Sequence, residues 1–236
     1  MKFLLKFCLP ILALGACTSS HHTNSTSSGV YQAAGVQENN ITQSLFQDKD
    51  ATISEENIQR IMNGTYSLPN KLRVALVKLE NSKQRHYYWN DEDYLKTQQA
   101  YVDLFSEQLL ISGRVTKNNT IPDLLLPSSP GFTTIREAAV RMQADVVLVF
   151  TITNDVYSRY KFLSKNDIKA FATTQAVLID VRTGLVPFST VVTRDYLSQK
   201  QEEELNQSEA VRRIQKEAVL LTIQEIGQQL NEYLAQ

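Results

Sequence analysis

Apolar and polar positions divide this chain into three stretches. Phe7 to Ala13 is a short apolar run behind Lys2 and Lys6, Thr18 to Ser28 is almost wholly Ser, Thr, His and Asn, and periodic patterning begins only near Thr52. In the patterned body, Ser54 stands in N-cap position for a short helix containing Ile58 and Ile61 and ending near Gly64. Leu72 to Leu79 is apolar at most positions, which predicts a strand covered on both faces. A helix beginning at Asn90 or Asp91 places Leu95, Val102, Phe105 and Leu109 on one face and stops at Gly113. Arg114 to Leu126 is less regular. Thr133 or Thr134 caps a shorter helix, with Glu137 in capping-box position behind Thr134, and Ala144 then opens the most hydrophobic strand, Val146 to Ile152.

Ala170 to Val181 predicts a long strand, and Asp180-Val181-Arg182-Thr183-Gly184 a tight hairpin in which Gly184 supplies positive φ. The return strand runs from Val186 to about Tyr196, and Pro187 near its start suits an edge. Glu202 to Leu234 is a closing helix with Val211, Ile214, Ala218, Val219, Ile223, Ile226, Leu230 and Tyr233 as its buried stripe. Helices between early strands, followed by hairpins, predict an α/β (α+β) sandwich: a mixed sheet of about five strands in the order β-α-β-α-β-β-β-α, with helices packed on it.

The amino-terminal pattern has the form of an export signal, too short to span a bilayer as a permanent helix, which needs about 20 apolar residues. Leu14-Gly15-Ala16-Cys17 resembles the lipobox of bacterial lipoproteins. That resemblance implies removal of residues 1–16, a diacylglycerol thioether on Cys17, and attachment of the chain to a bilayer through that lipid. In Gram-negative lipoproteins an Asp directly after the acylated residue marks retention at the inner membrane. Thr18 and Ser19 stand here instead, which implies the periplasmic face of the outer membrane. Residues 17–50 then form a polar tether that lacks the apolar surface to offset chain ordering, with a reach of about 30 Å, and residues 51–236 form one domain.

Composition closes several routes. Cys8 leaves with the signal and Cys17 carries lipid, so the body holds no disulfide and no thiolate metal site. Of 24 basic residues two, Lys2 and Lys6, lie in the signal, and the remaining 22 against 25 acidic ones leave the body about three charges negative, unsuited to nucleic acid.

The body also resembles a family. Leu72 to Leu79, the helix leading into Ala144-Asp145-Val146-Val147-Leu148-Val149, and Gln175-Ala176-Val177-Leu178-Ile179-Asp180 with its turn through Gly184 resemble periplasmic α/β lipoproteins related to the curli-secretion lipoprotein. They are also similar to the amino-terminal domain of the Tol-system β-propeller protein and to lipoprotein activators of penicillin-binding proteins. The resemblance implies an assembly factor or regulator that binds protein, not an enzyme. Membrane-crossing strand pairs need about 9–11 alternating residues each way. Asn154 to Lys169, with Arg159, Lys161, Lys165, Asp167 and Lys169, is too short and too charged for that, and is expected to be a solvated extension beyond the sheet.

There is no Gly-x-Ser-x-Gly elbow, no His-Glu-x-x-His and no phosphate-binding glycine loop. His21 and His22 lie in the tether. His86 beside Asp91, Glu92 and Asp93 offers a general-base or metal site on paper, but acids in a first helical turn also stabilise the helix dipole. No catalytic residue, metal or cofactor is expected. Two aromatic groups stand out instead: Tyr87, Tyr88 and Trp89 after the first strand, and Tyr157, Tyr160 and Phe162 beyond the hydrophobic one. With those strands parallel, both groups emerge at the carboxyl edge of the sheet, where open α/β folds bind ligands; they are either the contact for an envelope protein or rings folded back onto the rim of the core. A homo-oligomer, a small envelope molecule or glycan bound at that edge, and an enzyme using the His86 region are the alternatives.

Overall fold

The computed structural model describes residues 54–80, 91–127, 130–159 and 166–236. Helix α1 (Glu55–Asn63) is capped by the Ser54 side chain, which accepts from the Asn57 N–H. Then follow β1 (Leu72–Lys78), α2 (Glu92–Ile111), β2 (Val115–Thr120), a 3-10 turn (Asp123–Leu125), α3 (Phe132–Arg141), β3 (Val146–Arg159), β4 (Asp167–Asp180), β5 (Phe188–Gln199) and α4 (Gln207–Leu234). The sheet runs β2-β1-β3-β4-β5. Strand β1 is parallel to both neighbours, and β3-β4-β5 is an antiparallel meander. This is the expected mixed five-stranded α/β sandwich.

Alternation assigns the two faces. Leu72, Val74, Leu76, Val146, Leu148, Phe150, Ile168, Ala170, Ala172 and Leu178 point to one side and are buried beneath α2 and α4. Ala75, Val77, Val147, Val149, Ile179 and Val181 point to the other, where Ile135, Ala138 and Ala139 of α3 cover them. Helices α2 and α4 approach closely at Gly227, where an added Cβ would lie 2.6 Å from Cβ and Cγ of Gln108. The Asn231 amide donates to the Gln108 carbonyl at 3.0 Å one turn further on. Because the obstructing atoms sit near the Gln108 backbone, Gly227→Ala is expected to cost about 1–3 kcal/mol, read as a shift in urea midpoint at constant slope. A neutral result would mean that the two helices stand further apart.

An ion pair aligns the parallel strands. Arg73 at the start of β1 donates to Asp145 from Nη2 (2.7 Å), Nε (3.0 Å) and its backbone N–H (2.9 Å), and the Asp145 N–H returns a bond to the Arg73 carbonyl at 2.8 Å. Arg73 holds the Asp145 carboxyl below the usual carboxylate range.

Several expectations change. Strands β3 and β4 continue in register to Arg159↔Asp167, so the described parts of 154–169 belong to the sheet and are not an extension beyond it. The reason is that Ile152, Val156, Ile168 and Ala170 keep an apolar row against the α2–α4 side, while the charges fall on the other side or at the end. Tyr157 accordingly lies inside β3. Gly131, not Thr133 or Thr134, is the N-cap of α3, without a side-chain cap, so both threonines sit in the first turn and the capping box does not form. Helix α4 starts at Gln207: the Asn206 side chain accepts from the Glu209 N–H, and Glu209 accepts in turn from the Leu205 N–H. Glu204 ahead of it folds inward to Arg213 at 2.6 Å. On α2, Tyr101 joins the core, whereas Leu95 is half-exposed.

Candidate functional site: the carboxyl-edge cleft and the open sheet face

Chain direction creates the first candidate. Helix α2, which follows β1, packs on one face of the sheet, and α3, which follows the adjacent parallel strand β2, packs on the other, so the sense of the connection reverses between the carboxyl ends of β1 and β2. Such a switch point is where open α/β sheets bind ligands. A cleft of about 460 Å³ occupies it, walled by the last residues of β1, the first half of α2 and the segment from Thr120 to Leu126. The size falls within the about 300–1,000 Å³ of small-molecule sites.

Its polar groups converge from two elements. The Lys78 ammonium contacts the Glu80 carboxylate and the Gln98 amide oxygen, and the Tyr94 hydroxyl donates to Glu80 at 3.3 Å. The pair is largely shielded, with 14% of the Lys78 side chain and 18% of Glu80 exposed. Burial pushes the Lys78 pKa down, against the opposing pull of Glu80. Val77, Leu95, Val102, Ile121 and Leu126 supply the apolar wall.

The second candidate is the half of the sheet that α3 leaves bare. On that side β3, β4 and β5 align the rows Thr153-Thr173-Thr193, Asp155-Phe171-Asp195 and Tyr157-Lys169-Leu197. Thr173 and Thr193 hydroxyls bond at 2.8 Å. Phe171 is flanked by the Tyr157 ring, edge-on at 5.7 Å, and by the Lys169 ammonium, 4.7 Å from its centroid, which also pairs with Asp195 at 3.0 Å. Tyr157, Val191 and Leu197 remain 59%, 64% and 61% exposed. Alternation carries the signal for the last two: with Val192 in the core, Val191 and Leu197 must face outward.

Of the sequence-derived site residues, the structure places Tyr157 near the carboxyl end of β3, on this open face. Tyr87, Tyr88, Trp89, Tyr160, Phe162 and Cys17 lie outside the described residues, as does His86. The acids beside His86 have structural partners. Asp91 caps α2 by accepting from the Asp93 and Tyr94 N–H groups at 3.1 Å, Arg212 lies 3.6 and 3.7 Å from Asp91 and Asp93, and Lys96 lies 3.5 Å from Glu92. Among the described residues no group of three or more His, Cys, Asp or Glu is arranged to hold a metal ion.

No protein-family model matches the chain, and no curated protein does. Among solved structures, it is similar to the hypothetical protein CT253 from Chlamydia trachomatis (13% identity, 70% of this chain and 98% of that one covered, TM-score 0.40). A minor lipoprotein from Acinetobacter baumannii (9%, 69% and 91%, 0.35) and lipoprotein GNA1162 from Neisseria meningitidis (10%, 68% and 99%, 0.31) are similar in the same way. At these identities and scores neither a ligand nor a partner passes from them to this chain.

Proposed function

We propose that this chain is a lipid-anchored, non-enzymatic protein of the cell envelope, held to the outer membrane by Cys17, whose domain assembles or regulates an envelope complex by binding a protein on the open face of its sheet. The observation that carries the reading is the group of Tyr157, Phe171 and Leu197 around the Lys169–Asp195 pair, with Val191 exposed on the same face beyond the threonine row, all uncovered by any described helix. A solvated sheet face is polar at most positions, with apolar side chains scattered singly. Exposed aromatic and aliphatic side chains grouped with a charged pair on one uncovered face suit a protein interface.

The connector into β1 is fixed by side chains. Tyr66 donates to Asp180 at 2.9 Å, and Arg114 donates to the carbonyls of Leu68 and Pro69 at 3.2 and 3.0 Å, so the chain arrives at the amino edge of β1 and β3.

A photo-crosslinking side chain at position 197 is expected to capture a protein in the intact envelope, and one at exposed Gln228 on the outer side of α4 is not. Val191→Lys with Leu197→Asp should move stability by no more than about 0.5 kcal/mol. Interface anchors contribute about 2 kcal/mol or more, so recovery of the captured complex should weaken about 30-fold or beyond. Undiminished recovery with an intact fold would remove this face from consideration.

A second reading, a ligand-binding lipoprotein for a small envelope molecule or glycan, is favoured by the cleft at the switch point. In either reading the lipid on Cys17 is the only non-protein group required, and the enzyme reading through His86 gains no support from the acids next to it.

A further inference from the structure

We infer that the outer edge of β5 takes an extended segment of the partner protein as an additional strand; the inference deepens the protein-binding reading of the open face and rests on it. Register identifies the groups involved. The Asp180 N–H donates to the Leu185 carbonyl and the Gly184 N–H to the Asp180 carbonyl, both at 2.9 Å, so Asp180, and with it every even-numbered residue of β4, turns its backbone groups toward β5. Even-numbered residues of β5 stand opposite these, and Ser189, Val191, Thr193, Asp195, Leu197 and Gln199 therefore turn their N–H and C=O groups outward. Arg194 covers the Thr193 carbonyl at 2.8 Å and Arg213 the Gln199 carbonyl at 2.9 Å. Among the described residues, the outward backbone groups of Val191, Asp195 and Leu197 take no bond. The same residues carry the open-face side chains, so a strand added here adjoins Val191 and Leu197.

The two edges of the sheet differ in how they discourage pairing. Strand β2 is 6 residues long, carries Lys117, Asn118 and Asn119, and shifts register against β1, all of which blunt an edge. Strand β5 keeps unbroken register with β4 over 12 residues, contains no Lys, Pro or Gly, and has its two charges, Arg194 and Asp195, paired within the domain to Glu225 and Lys169. Backbone donors and acceptors repeating about every 7 Å are matched by another extended chain. A lone segment fits better than a second copy. Glu225 and Gln229 reach Arg194 and Thr190, so the flank of α4 above this edge is the row Leu221, Glu225, Gln228 and Glu232. Antiparallel pairing of two β5 strands would keep both helices on one side and set that polar, acidic row against its twin. Register also gives the segment's pattern: its open-side residues lie against Val191, Thr193, Asp195 and Leu197 in turn, apolar at the two ends and polar between.

Thr193→Pro and Thr193→Val separate backbone from side chain. Both remove the hydroxyl bonded to Thr173, but only proline removes an outward N–H and sets a ring against an incoming strand, at an edge position where β4 does not use that N–H. Thermal melts of the full-length protein check that both fold. With the photo-crosslinking side chain at position 197 in the intact envelope, Thr193→Pro is expected to lower recovery of the captured protein about ten-fold or more, and Thr193→Val less than about two-fold. Crosslinkers placed singly at 191, 193, 195 and 197 in the otherwise unaltered chain are expected to attach to one partner segment in steps of two residues, located by mass spectrometry; this map decides the matter even where Thr193→Pro fails to fold. If a folded Thr193→Pro leaves recovery unchanged, or the attachment points scatter or fall three to four residues apart, the partner sits on the face without adding a strand, and the inference falls while the protein-binding reading stands. Capture of a second copy of this chain overturns the inferred partner. If the unaltered chain captures no protein at these positions, the inference and the reading fall together.

Discussion

Phe105→Ala is expected to lower the unfolding free energy by about 3–5 kcal/mol, the largest effect of any single truncation considered for this domain. Phe105 is fully buried, and its ring centroid lies 4.4 Å from that of Phe150 at a 44° tilt. The residue comes from α2 and its neighbour from the centre of β3, within the same buried cluster as Ile214, Ile223 and Ile226 of α4. Removing the ring takes away its burial and leaves a void that two rigid helices and a sheet can close only in part, which is why the cost exceeds simple transfer. Urea unfolding followed by circular dichroism measures it, with exposed Leu110→Ala on the same helix as the control, expected within about 0.5 kcal/mol. A loss below about 1 kcal/mol for Phe105→Ala would mean that α2 is not seated on the sheet in this way. The cleft would then lose the wall that supplies Tyr94, Leu95 and Gln98.

The core was readable because burial follows period. Residues two apart on β1 and β3, and three or four apart on α4, sort apolar from polar without reference to anything distant, and the stripe through Ile214, Ala218, Ile223, Ile226 and Leu230 is buried as its spacing requires. Edges were less readable. Strand β2, Val-Thr-Lys-Asn-Asn-Thr, has only Val115 buried, and it is held by backbone pairing to β1 and by Asn118, which bonds Ser106 of α2 from both ends of its amide. No local pattern announces such a strand. The outer halves of β3 and β4 misled for a related reason: with one face open, their charges resemble those of a loop although Ile152, Val156, Ile168, Ala170 and Ala172 still pack on the other.

The cleft illustrates a different limit. Lys78 and Gln98 are twenty positions apart and meet only because α2 returns over the sheet, so neither residue is conspicuous in its own segment. What could be foreseen was the location, the carboxyl edge of parallel strands, because that follows from topology alone. The open face was hidden for the opposite reason: scattered apolar residues on a surface are ordinary, and only register places Tyr157, Phe171 and Leu197 beside one another.

Register likewise gives Asp180 a larger part than its turn motif suggests, and Asp180→Ala is expected to cost about 3 kcal/mol. The carboxylate is buried and accepts from the Thr183 N–H, the Thr183 hydroxyl and the Tyr66 hydroxyl, while Gly184 at φ 78° lets the chain reverse. Burial first, and then the adjacent Asp180, push the Tyr66 pKa upward, so the phenol stays protonated as a donor. Hydrogen bonds to a charged acceptor contribute about 1.5–3 kcal/mol each, and alanine leaves three donors without their partner; partial rescue by water keeps the total below their sum. Asp180→Asn retains one oxygen and the size of the side chain, and should cost about half as much. A second measurement separates the turn from the connector. Hydrogen exchange from Tyr66 to Leu72 should accelerate in Asp180→Ala and stay slow in Thr183→Val, because only the first variant releases Tyr66. Equal acceleration in both would show that the turn as a whole, and not the Tyr66 bond, holds the connector at the amino edge.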